Sequence, residues 1–375
     1  MRTASLTMHS AGFTSRIRDC AIRGIRNEEK RWLAFASVVS LLYGGIIRLR
    51  NAGYNGGILK SKALACPVVS VGNITAGGTG KTPMVIMLAS EFRKRGFRPA
   101  ILSRGYGGKN KEKVTVVTDG STILKDFEKA GDEPVLIAES LERVPVITSK
   151  KRINAGNLAL CRYNPDVLIL DDAFQHRSLC RDIDIVLVDG RDPFGKGAIL
   201  PKGELREPET SARRADIIVV TDSGCDATAI KAKEQIKKIC PGVSIFEANR
   251  KPLNIIEGFE RKKRPLSYLK GKNVLAFAGI ALPERFRMTV EELCGIPCGF
   301  VTYPDHYLYS AKDIAGILHI ARAQAAELII TTAKDAVRLR KFPDFYRKVC
   351  YLAIEMDMGN SLEPFLASIM RKLNR

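Results

Sequence analysis

The sequence predicts an α/β protein in which a mostly parallel sheet, covered by helices on both faces, is followed by a smaller α/β domain. One observation is a series of short, continuous apolar runs rich in Val and Ile, which is typical of strands buried on both faces. Another is that helical segments separate these runs, as parallel strands require. The 375 residues are also enough for two domains.

Strand-like runs and helical segments alternate from Pro67 onward. The pattern loosens from Ile245 to Ile256, where we predict a linker. We therefore expect an N-terminal basic and apolar helical segment (1–50), a core domain (51–244), and a linker with the smaller domain (245–375). The runs predicted to form strands are 67–71, 98–102, 114–117, 144–148, 167–170, 183–188, 217–220, 273–279 and 328–332.

The N-terminal segment is basic from Arg16 to Arg31 and apolar from Leu33 to Ile47, and Arg48 and Arg50 close the apolar run. This run is shorter than a comfortable transmembrane span. Two interpretations remain open: a helix that lies in the membrane interface, and a core helix packed on the domain. A cleaved signal peptide is not favoured, because the apolar run starts late and no small-residue cleavage site clearly follows it.

The overall charge is strongly positive, with a formal net charge of +20 at pH 7. Such a charge indicates anionic partners: nucleic acid, an anionic membrane or phosphorylated substrates. The nine cysteines include no C-x-x-C pair, so a zinc site is not predicted. Scattered reduced thiols fit a cytoplasmic chain.

The string "NITAGGTGKTPMV" places a glycine-rich loop between a strand-like run and a helical segment. In that context, successive backbone N–H groups and the helix N-terminus converge on an anion. Lys81 would then reach the β- and γ-phosphates of a nucleotide, and the hydroxyl of Thr82 would hold Mg²⁺. The sequence therefore predicts a core similar to P-loop NTPases.

This loop departs from the usual G-x-x-x-x-G-K-[ST] pattern, because Thr75 occupies the position of the first glycine. A glycine turn followed by a surface lysine is the alternative, although the flanking strand and helix favour a phosphate site. The loop residues predicted to bind nucleotide are Thr75, Ala76, Gly77, Gly78, Thr79, Gly80, Lys81 and Thr82.

A second candidate is "VLILDDAFQH", in which an apolar strand ends in Asp171 and Asp172. It reads as a Walker B element, whose carboxylates would bind Mg²⁺ beside the glycine-rich loop. Aspartates after a strand are also common helix caps. Gln175 and His176 follow closely and could face the site, but His176 could equally be a structural histidine.

Five further strings carry polar residues in predicted loops, and each also has an ordinary structural explanation. For example, Arg104 could clamp a phosphate or lie in a solvated turn, and Asp132 could simply cap a helix. The strings are "SRGYGG" with Arg104 and Tyr106, "AGDEP" with Asp132, "SKKRINAG" with Arg152, "LPKGELREP" with Arg206 and Glu207, and "YPDHY" with His306.

Taken in order, GGTGKTP, SRGYGG, GDEP, DDAFQH, LREP, YPDHY and TTAKDAVRL resemble the tetraacyldisaccharide 4'-kinase family of lipid A synthesis. The resemblance runs from about Val68 to about Leu339. It implies a two-domain P-loop kinase bound peripherally at the cytoplasmic face of the inner membrane. Such an enzyme transfers the γ-phosphoryl group of ATP, with Mg²⁺, to the 4'-hydroxyl of a tetraacylated disaccharide 1-phosphate, which gives lipid IVA.

The resemblance also assigns roles to matching positions. It implies that Lys81 and Thr82 contact phosphate and Mg²⁺, and that Asp132 and His306 form a catalytic dyad. It places Asp171 and Asp172, with Glu207 nearby, at the metal, and Tyr106 among the nucleotide-binding residues. The remaining active-site positions that it implies are Arg104, Arg152, His176 and Arg206.

Two positions depart from the family pattern: Ala173 stands where glycine is usual, and Tyr307 stands where a second histidine is usual. The second departure leaves His306 as the only candidate histidine in that string.

Two other functions are alternatives to the kinase. A nucleotide-dependent regulator would need a guanine-reading motif such as N-K-x-D, and none lies in a suitable place. A nucleic-acid ATPase would explain the charge, but no aromatic stacking motif supports it. The expected partners are therefore an acylated disaccharide phosphate lipid and an anionic membrane surface, with no nucleic acid and no obligate protein partner.

Overall fold

The computed structural model describes residues 34–109 and 112–373. Within these ranges the predicted strands are found, together with four that were not predicted. The strands are β1 (Val68–Asn73), β2 (Pro99–Ser103), β3 (Thr115–Thr118), β4 (Val146–Thr148), β5 (Val167–Asp171), β6 (Ile183–Asp189), β7 (Ile217–Thr221), β8 (Ser244–Glu257), β9 (Lys263–Arg264), β10 (Val274–Ala278), β11 (Gly299–Thr302), β12 (Leu328–Thr332) and β13 (Val349–Asp357).

Helices connect most of these strands. The α-helices are α1 (34–55), α2 (Lys81–Lys94), α3 (Phe127–Ala130), α4 (Asp132–Ser140), α5 (Arg152–Tyr163), α6 (Asp226–Ile239), α7 (Pro283–Cys294), α8 (Ala311–Ala323), α9 (Ala333–Leu339), α10 (Pro343–Tyr346) and α11 (Leu362–Leu373). Short 3₁₀ turns lie at Gly195–Gly197, Glu209–Arg214, Leu266–Leu269 and Gly359–Ser361.

The strands of the described residues form one sheet in the order β11-β10-β12-β13-β8-β7-β6-β1-β5-β2-β4-β3, and β9 pairs with β8. Most neighbouring strands are parallel, and the antiparallel pairs are β3 with β4, β13 with β8, and β8 with β9. Apolar clusters cover both faces of the sheet. The predicted fold class is confirmed.

The segment predicted to be a linker is the long strand β8. Its first part, Ser244–Ala248, is parallel to β7, and its second part, Asn249–Glu257, is antiparallel to β13. The sheet is therefore continuous between the two halves of the chain. The apolar pattern loosens here because few residues of β8 are fully buried. The division of the chain into domains at residue 245 stays a prediction.

Helix α1 packs on the core through one face and exposes apolar side chains on the other. On its inner face, the Ser40 hydroxyl donates to the carbonyl of Ile199 at 2.6 Å, and the Tyr43 hydroxyl donates to the carbonyl of Arg206 at 3.2 Å. Its outer face presents Phe35, Val38, Leu41, Leu42, Ile46 and Leu49, and Leu49 is 77% exposed. None of the helices in the described part of the chain is long and apolar enough to cross a membrane. The basic segment 16–31, predicted to belong to the same anchor, lies outside the described residues.

The carboxyl ends of the central parallel strands β5, β1 and β6 lie at one edge of the sheet. The backbones approach closely here, since a side chain at Gly72 would come within 2.6 Å of Phe174. Close packing of this kind brings the loops after β1 and β5 side by side. This edge is where the candidate functional residues gather.

Candidate active site

A large cavity of about 1530 Å³ opens at this edge of the sheet, between the two halves of the chain. Tyr43 and Arg50 of α1 form part of its wall. Most of the residues singled out in the sequence line it, whereas Thr75, Asp132 and Glu207 are not part of the lining. The predicted residues in the lining are Ala76, Gly77, Gly78, Thr79, Gly80, Lys81, Thr82, Arg104, Tyr106, Arg152, Asp171, Asp172, His176, Arg206 and His306.

The glycine-rich loop joins β1 to α2, as predicted. Gly77 and Gly80 have φ values of 128° and 87°, which favour glycine over residues with a side chain. The carbonyl of Gly78 accepts a hydrogen bond of 2.9 Å from Arg250 of β8. Lys81 is the first residue of α2, and its Nζ lies 3.6 Å from Asp172 Oδ1. The loop therefore presents its lysine beside the Walker B carboxylates.

Asp171 is almost completely buried and has one oxygen without a partner. Its Oδ2 accepts a hydrogen bond of 3.1 Å from Ser103, while Oδ1 has no hydrogen-bond donor within the described residues. Burial, followed by the charges of Glu133 and Asp172, raises the pKa of Asp171 to about 7. A cation beside this carboxylate would offset both effects.

The residues present fit Mg²⁺. In the described ranges, no group of three or more His, Cys, Asp or Glu side chains forms a complete metal cage. Mg²⁺ needs fewer protein ligands in nucleotide sites, because substrate phosphates and water complete the coordination begun by one or two carboxylates. Asp171, Asp172 and the Thr82 hydroxyl at the start of α2 are suitable protein ligands.

Guanidinium groups surround the aspartate pair. Arg206 donates to both oxygens of Asp172 at 3.0 and 3.1 Å. Arg152 is 2% exposed and donates to the carbonyls of Asp171 and Asp172 at 3.1 and 3.4 Å, while its Nε has no partner among the described residues. Burial lowers the pKa of Arg152 to about 10, so it remains a cation at neutral pH. These guanidinium groups give the cavity a positive charge that suits the binding of a nucleotide's phosphates.

His176 also lines the cavity but is neutral at pH 7. Burial and the neighbouring arginines, Arg152 first among them, lower its pKa to about 4. Its Nε2 lies 3.1 Å from the Ser178 hydroxyl. His176 can therefore accept or donate a hydrogen bond in the cavity, but it does not supply a positive charge there.

Asp132 and His306 are in contact, although 174 residues separate them in the chain. The His306 Nδ1 lies 3.0 Å from Asp132 Oδ2. Burial by itself would raise the pKa of Asp132, but the hydrogen bond from His306 and the charge of Arg338 hold it well below its usual range. The same hydrogen bond raises the pKa of His306. Asp132 does not cap α4, because Gly131 occupies the N-cap position.

Arg338 is the arginine of the string TTAKDAVRL, and the sequence predicts no role for it. It lies on α9, is 1% exposed, and its Nε donates to Asp132 Oδ2 at 2.8 Å. It also pairs with Asp335 at 3.0 Å and donates to the carbonyl of Gly279 at 3.0 Å. Lys334, one turn earlier, pairs with Glu133. The signal in the sequence was two cations at helical spacing directly after the strand β12.

The structure does not bring Glu207 to the aspartate pair. Glu207 is fully buried, and its carboxylate accepts from Arg214 at 2.9 and 3.1 Å and from Asn51 of α1 at 2.7 Å. Arg206 and Glu207 are consecutive residues, but their side chains lie on opposite sides of the backbone. Arg206 therefore reaches Asp172, and Glu207 does not. The contacts of Glu207 are those of a residue that holds α1 on the core.

Thr75 supports the glycine-rich loop from outside the cavity. Its carbonyl accepts a hydrogen bond of 2.6 Å from the Asn73 side chain, and the residue forms an isolated β-bridge with Leu205. The first glycine of the usual pattern is therefore replaced by a residue whose backbone fixes the loop entry.

Comparison with known proteins shows similarity to one family over most of the chain. Residues 32–373 match the family model LpxK, described as tetraacyldisaccharide-1-P 4'-kinase. A protein of Syntrophus aciditrophicus named tetraacyldisaccharide 4'-kinase is 45% identical over 341 residues, which cover 89% of this chain and 91% of that protein. A protein of the same name from Halothermothrix orenii is 36% identical, over 92% of this chain and 93% of that protein.

A solved structure is similar over nearly the same length. It is the "apo" form of LpxK from Aquifex aeolicus in complex with ATP, with a TM-score of 0.71 and 34% identity. The match covers 89% of this chain and 97% of that one.

Proposed function

Because the chain belongs to the tetraacyldisaccharide-1-P 4'-kinase family, it is an ATP-dependent kinase of lipid A biosynthesis, and we propose that Asp132 accepts the proton of the sugar's 4'-hydroxyl. In this reaction the γ-phosphoryl group of ATP passes to the 4'-hydroxyl of a tetraacyldisaccharide 1-phosphate, which forms lipid IVA. A sugar hydroxyl is a weak nucleophile, so a carboxylate that orients it and takes its proton favours attack.

The observation that carries this proposal is the contact between Asp132 and His306 across the two halves of the chain. His306 and Glu133, which follows Asp132, both line the main cavity. Asp132 Oδ2 is occupied by His306 and Arg338, whereas among the described residues Oδ1 accepts only the backbone N–H of Glu133 at 3.0 Å. Oδ1 is therefore the oxygen that remains available to the substrate hydroxyl.

The low pKa of Asp132 defines how it acts. An aspartate held in the charged form orients the hydroxyl through a strong hydrogen bond but takes its proton only as the new O–P bond forms. His306 and Arg338 are positioning residues in this proposal, because they hold Asp132 Oδ2 in place. The other oxygen, Oδ1, is held by the backbone N–H of Glu133 in α4.

The phosphoryl group would be held by the other side of the cavity. Lys81 and the N–H groups of the glycine-rich loop bind the β- and γ-phosphates. Arg104, Arg152 and Arg206 supply positive charge where negative charge develops during transfer. Tyr106 borders the cavity beside His306, with ring centroids 6.0 Å apart. Asp171, Asp172 and Thr82 would hold Mg²⁺, which would offset negative charge on the phosphates during transfer.

We further propose that α1 places the enzyme on the cytoplasmic face of the inner membrane as a peripheral protein. Its outer face is apolar, while Tyr43 and Arg50 on another face line the main cavity. A lipid-linked sugar held at the membrane surface would therefore meet the cavity beside α1. The net charge of +20 adds attraction to anionic lipid, at about 1 kcal/mol for each Lys or Arg near the surface.

A double-mutant cycle tests the pair Asp132 and His306. Transfer of labelled phosphate from ATP to the disaccharide lipid is measured in detergent micelles for Asp132→Asn, His306→Ala and the double variant. If the two residues act as a unit, each single change lowers turnover greatly and the double change costs little more than the worse single. ATP affinity should barely change in any of them.

The matched control is Asp126→Asn at the N-cap of α3, since Asn caps a helix as well as Asp does. It should leave turnover unchanged. Fully multiplicative losses for the Asp132 and His306 changes would show that these residues act separately, and would remove the basis of the proposal.

A further inference from the structure

A second cavity, of about 420 Å³, lies beside α1 and is rich in arginine. We name it the arginine pocket after Arg48, Arg177, Arg213 and Arg214 in its lining. Within the described ranges no acidic residue lines it, and its other polar groups are the side chains of Asn51, Asn55, Thr210 and Ser211. Four guanidinium groups around one cavity provide donors suited to an anion.

Contacts with the protein hold three of the pocket's four arginines in place. Arg177 donates to the Asn51 carbonyl at 3.1 Å and to the Asn55 side chain at 2.8 Å. Arg214 pairs with Glu207. The Arg213 Nε donates to a carbonyl at the end of α6 at 2.7 Å.

The pocket keeps an excess of positive charge. Glu207 contacts the pocket residues Asn51 and Arg214, and its carboxylate is already paired with Arg214. Burial, and then repulsion from the charges of Arg214 and Arg181, lower the pKa of Arg177. A bound anion would relieve that repulsion.

The position of the arginine pocket on α1 indicates which anion could reach it. Tyr43 and Arg50 face the main cavity, while Arg48, Asn51 and Asn55 face the arginine pocket on the other flank of the helix. The apolar outer face of α1 lies between these two flanks, and Arg48 directly precedes the exposed Leu49. The pocket therefore opens beside the surface that we place against the membrane.

We propose that the arginine pocket binds the phosphate group of an anionic membrane lipid, separately from the substrate. This inference rests on the proposed membrane association of α1. The substrate's sugar would lie in the main cavity, and α1 stands between that cavity and the arginine pocket. A bound headgroup would fix the rotation of α1 about its axis and so keep the mouth of the main cavity at the membrane surface.

Vesicle binding of the full-length protein tests this inference. The vesicles are phosphatidylcholine alone, phosphatidylcholine with phosphatidylglycerol, and phosphatidylcholine with oleate at the same surface charge, all in about 0.15 M salt. The test variant is Arg48→Gln with Arg213→Gln, which spares the arginines that hold α1 and Glu207. The control, Lys312→Gln with Arg322→Gln on α8, removes the same charge from exposed sites elsewhere. Thermal unfolding confirms that each variant is folded.

We expect the unchanged protein to bind phosphatidylglycerol vesicles at least tenfold more tightly than either other kind. Each arginine near an anionic surface contributes about fivefold, so the test variant should lose about tenfold or more of that preference. It should keep its binding to phosphatidylcholine, which depends on the apolar face of α1, and the control pair should behave like the unchanged protein.

Several results would overturn the inference. If the test and control pairs lost binding equally, or if phosphatidylglycerol and oleate vesicles bound equally well, general surface charge would account for the whole effect. Inorganic phosphate should compete for the pocket and weaken the preference more than chloride of the same ionic strength does, and equal effects of the two salts would show that no phosphate site contributes. Absence of binding to every vesicle would refute the membrane association itself, whereas equal binding to all three would refute only the pocket.

Discussion

Replacing Arg338 by Met tests whether the buried arginine positions the proposed base. The change removes a charge that is 1% exposed and leaves His306 as the remaining side-chain hydrogen-bond partner of the Asp132 carboxylate among the described residues. Breaking a buried ion pair by removing one partner costs about 3–5 kcal/mol, because a charge remains buried without compensation. We therefore expect the free energy of unfolding to fall by about that amount at pH 7.

The same change should shift the pH dependence of catalysis. Asp132 has a pKa in the folded protein below its value in the unfolded chain. It therefore contributes stability above the unfolded pKa, and this contribution is lost as pH falls through the folded pKa. Without Arg338 the folded pKa rises, so the fall of kcat/KM on the acid side should begin at higher pH. Turnover should fall more than ATP binding, because the lost interaction orients the hydroxyl.

The assay is a pH profile of phosphate transfer, measured with Arg338→Met, Arg338→Lys and the unchanged protein under conditions where all three are folded. Arg338→Lys keeps the charge and should restore the acid side of the profile, with turnover only partly recovered because one ammonium cannot reproduce the arginine's geometry. A folded Arg338→Met variant with an unshifted profile and near-normal turnover would refute the positioning role.

Three further changes address other parts of the site and the membrane surface. Lys81→Ala should lower turnover by orders of magnitude, since it removes a charge on the transferring phosphoryl group; near-normal activity would show that phosphate binds elsewhere. The pKa of Asp171 is raised by folding to about 7, so without Mg²⁺ the folded state binds more protons than the unfolded state between about pH 4 and 7, and stability falls as pH rises through that window. Asp171→Asn should remove this pH dependence of thermal unfolding while it abolishes phosphate transfer, and an unchanged dependence would contradict the assignment. Leu42→Gln with Leu49→Gln should weaken binding to phosphatidylcholine vesicles at least tenfold, because two exposed apolar side chains no longer enter the bilayer; unchanged sedimentation with vesicles would place the membrane contact elsewhere.

The sequence alone predicted those features that depend on neighbouring residues. The strand β1, the glycine-rich loop and α2 follow each other without interruption, and each has a local signal in its apolar pattern or its glycines. The strand that ends in Asp171 and Asp172 is likewise encoded in one short string. Such patterns restrict the backbone locally, so they can be read before the fold is known.

Two segments show where local signals were insufficient. The strand β8 was predicted to be a linker, because its pairing with β7 and then β13 leaves much of it partly exposed and blurs its apolar pattern. For α1 the sequence left two interpretations open. The structure gives the helix one face packed on the core and one apolar face exposed, a division that depends on which neighbours cover it.

Only the tertiary structure decided the composition of the proposed base site. Asp132 lies 174 residues from His306 and 206 residues from Arg338, and neither separation leaves a periodic signal in the sequence. The opposite case is Glu207, which directly follows Arg206 in the chain but contacts α1 instead of the aspartate pair. Local sequence determines the conformation of each segment, whereas the side chains that meet in a buried site are decided by close packing and by the requirement that buried charges find partners.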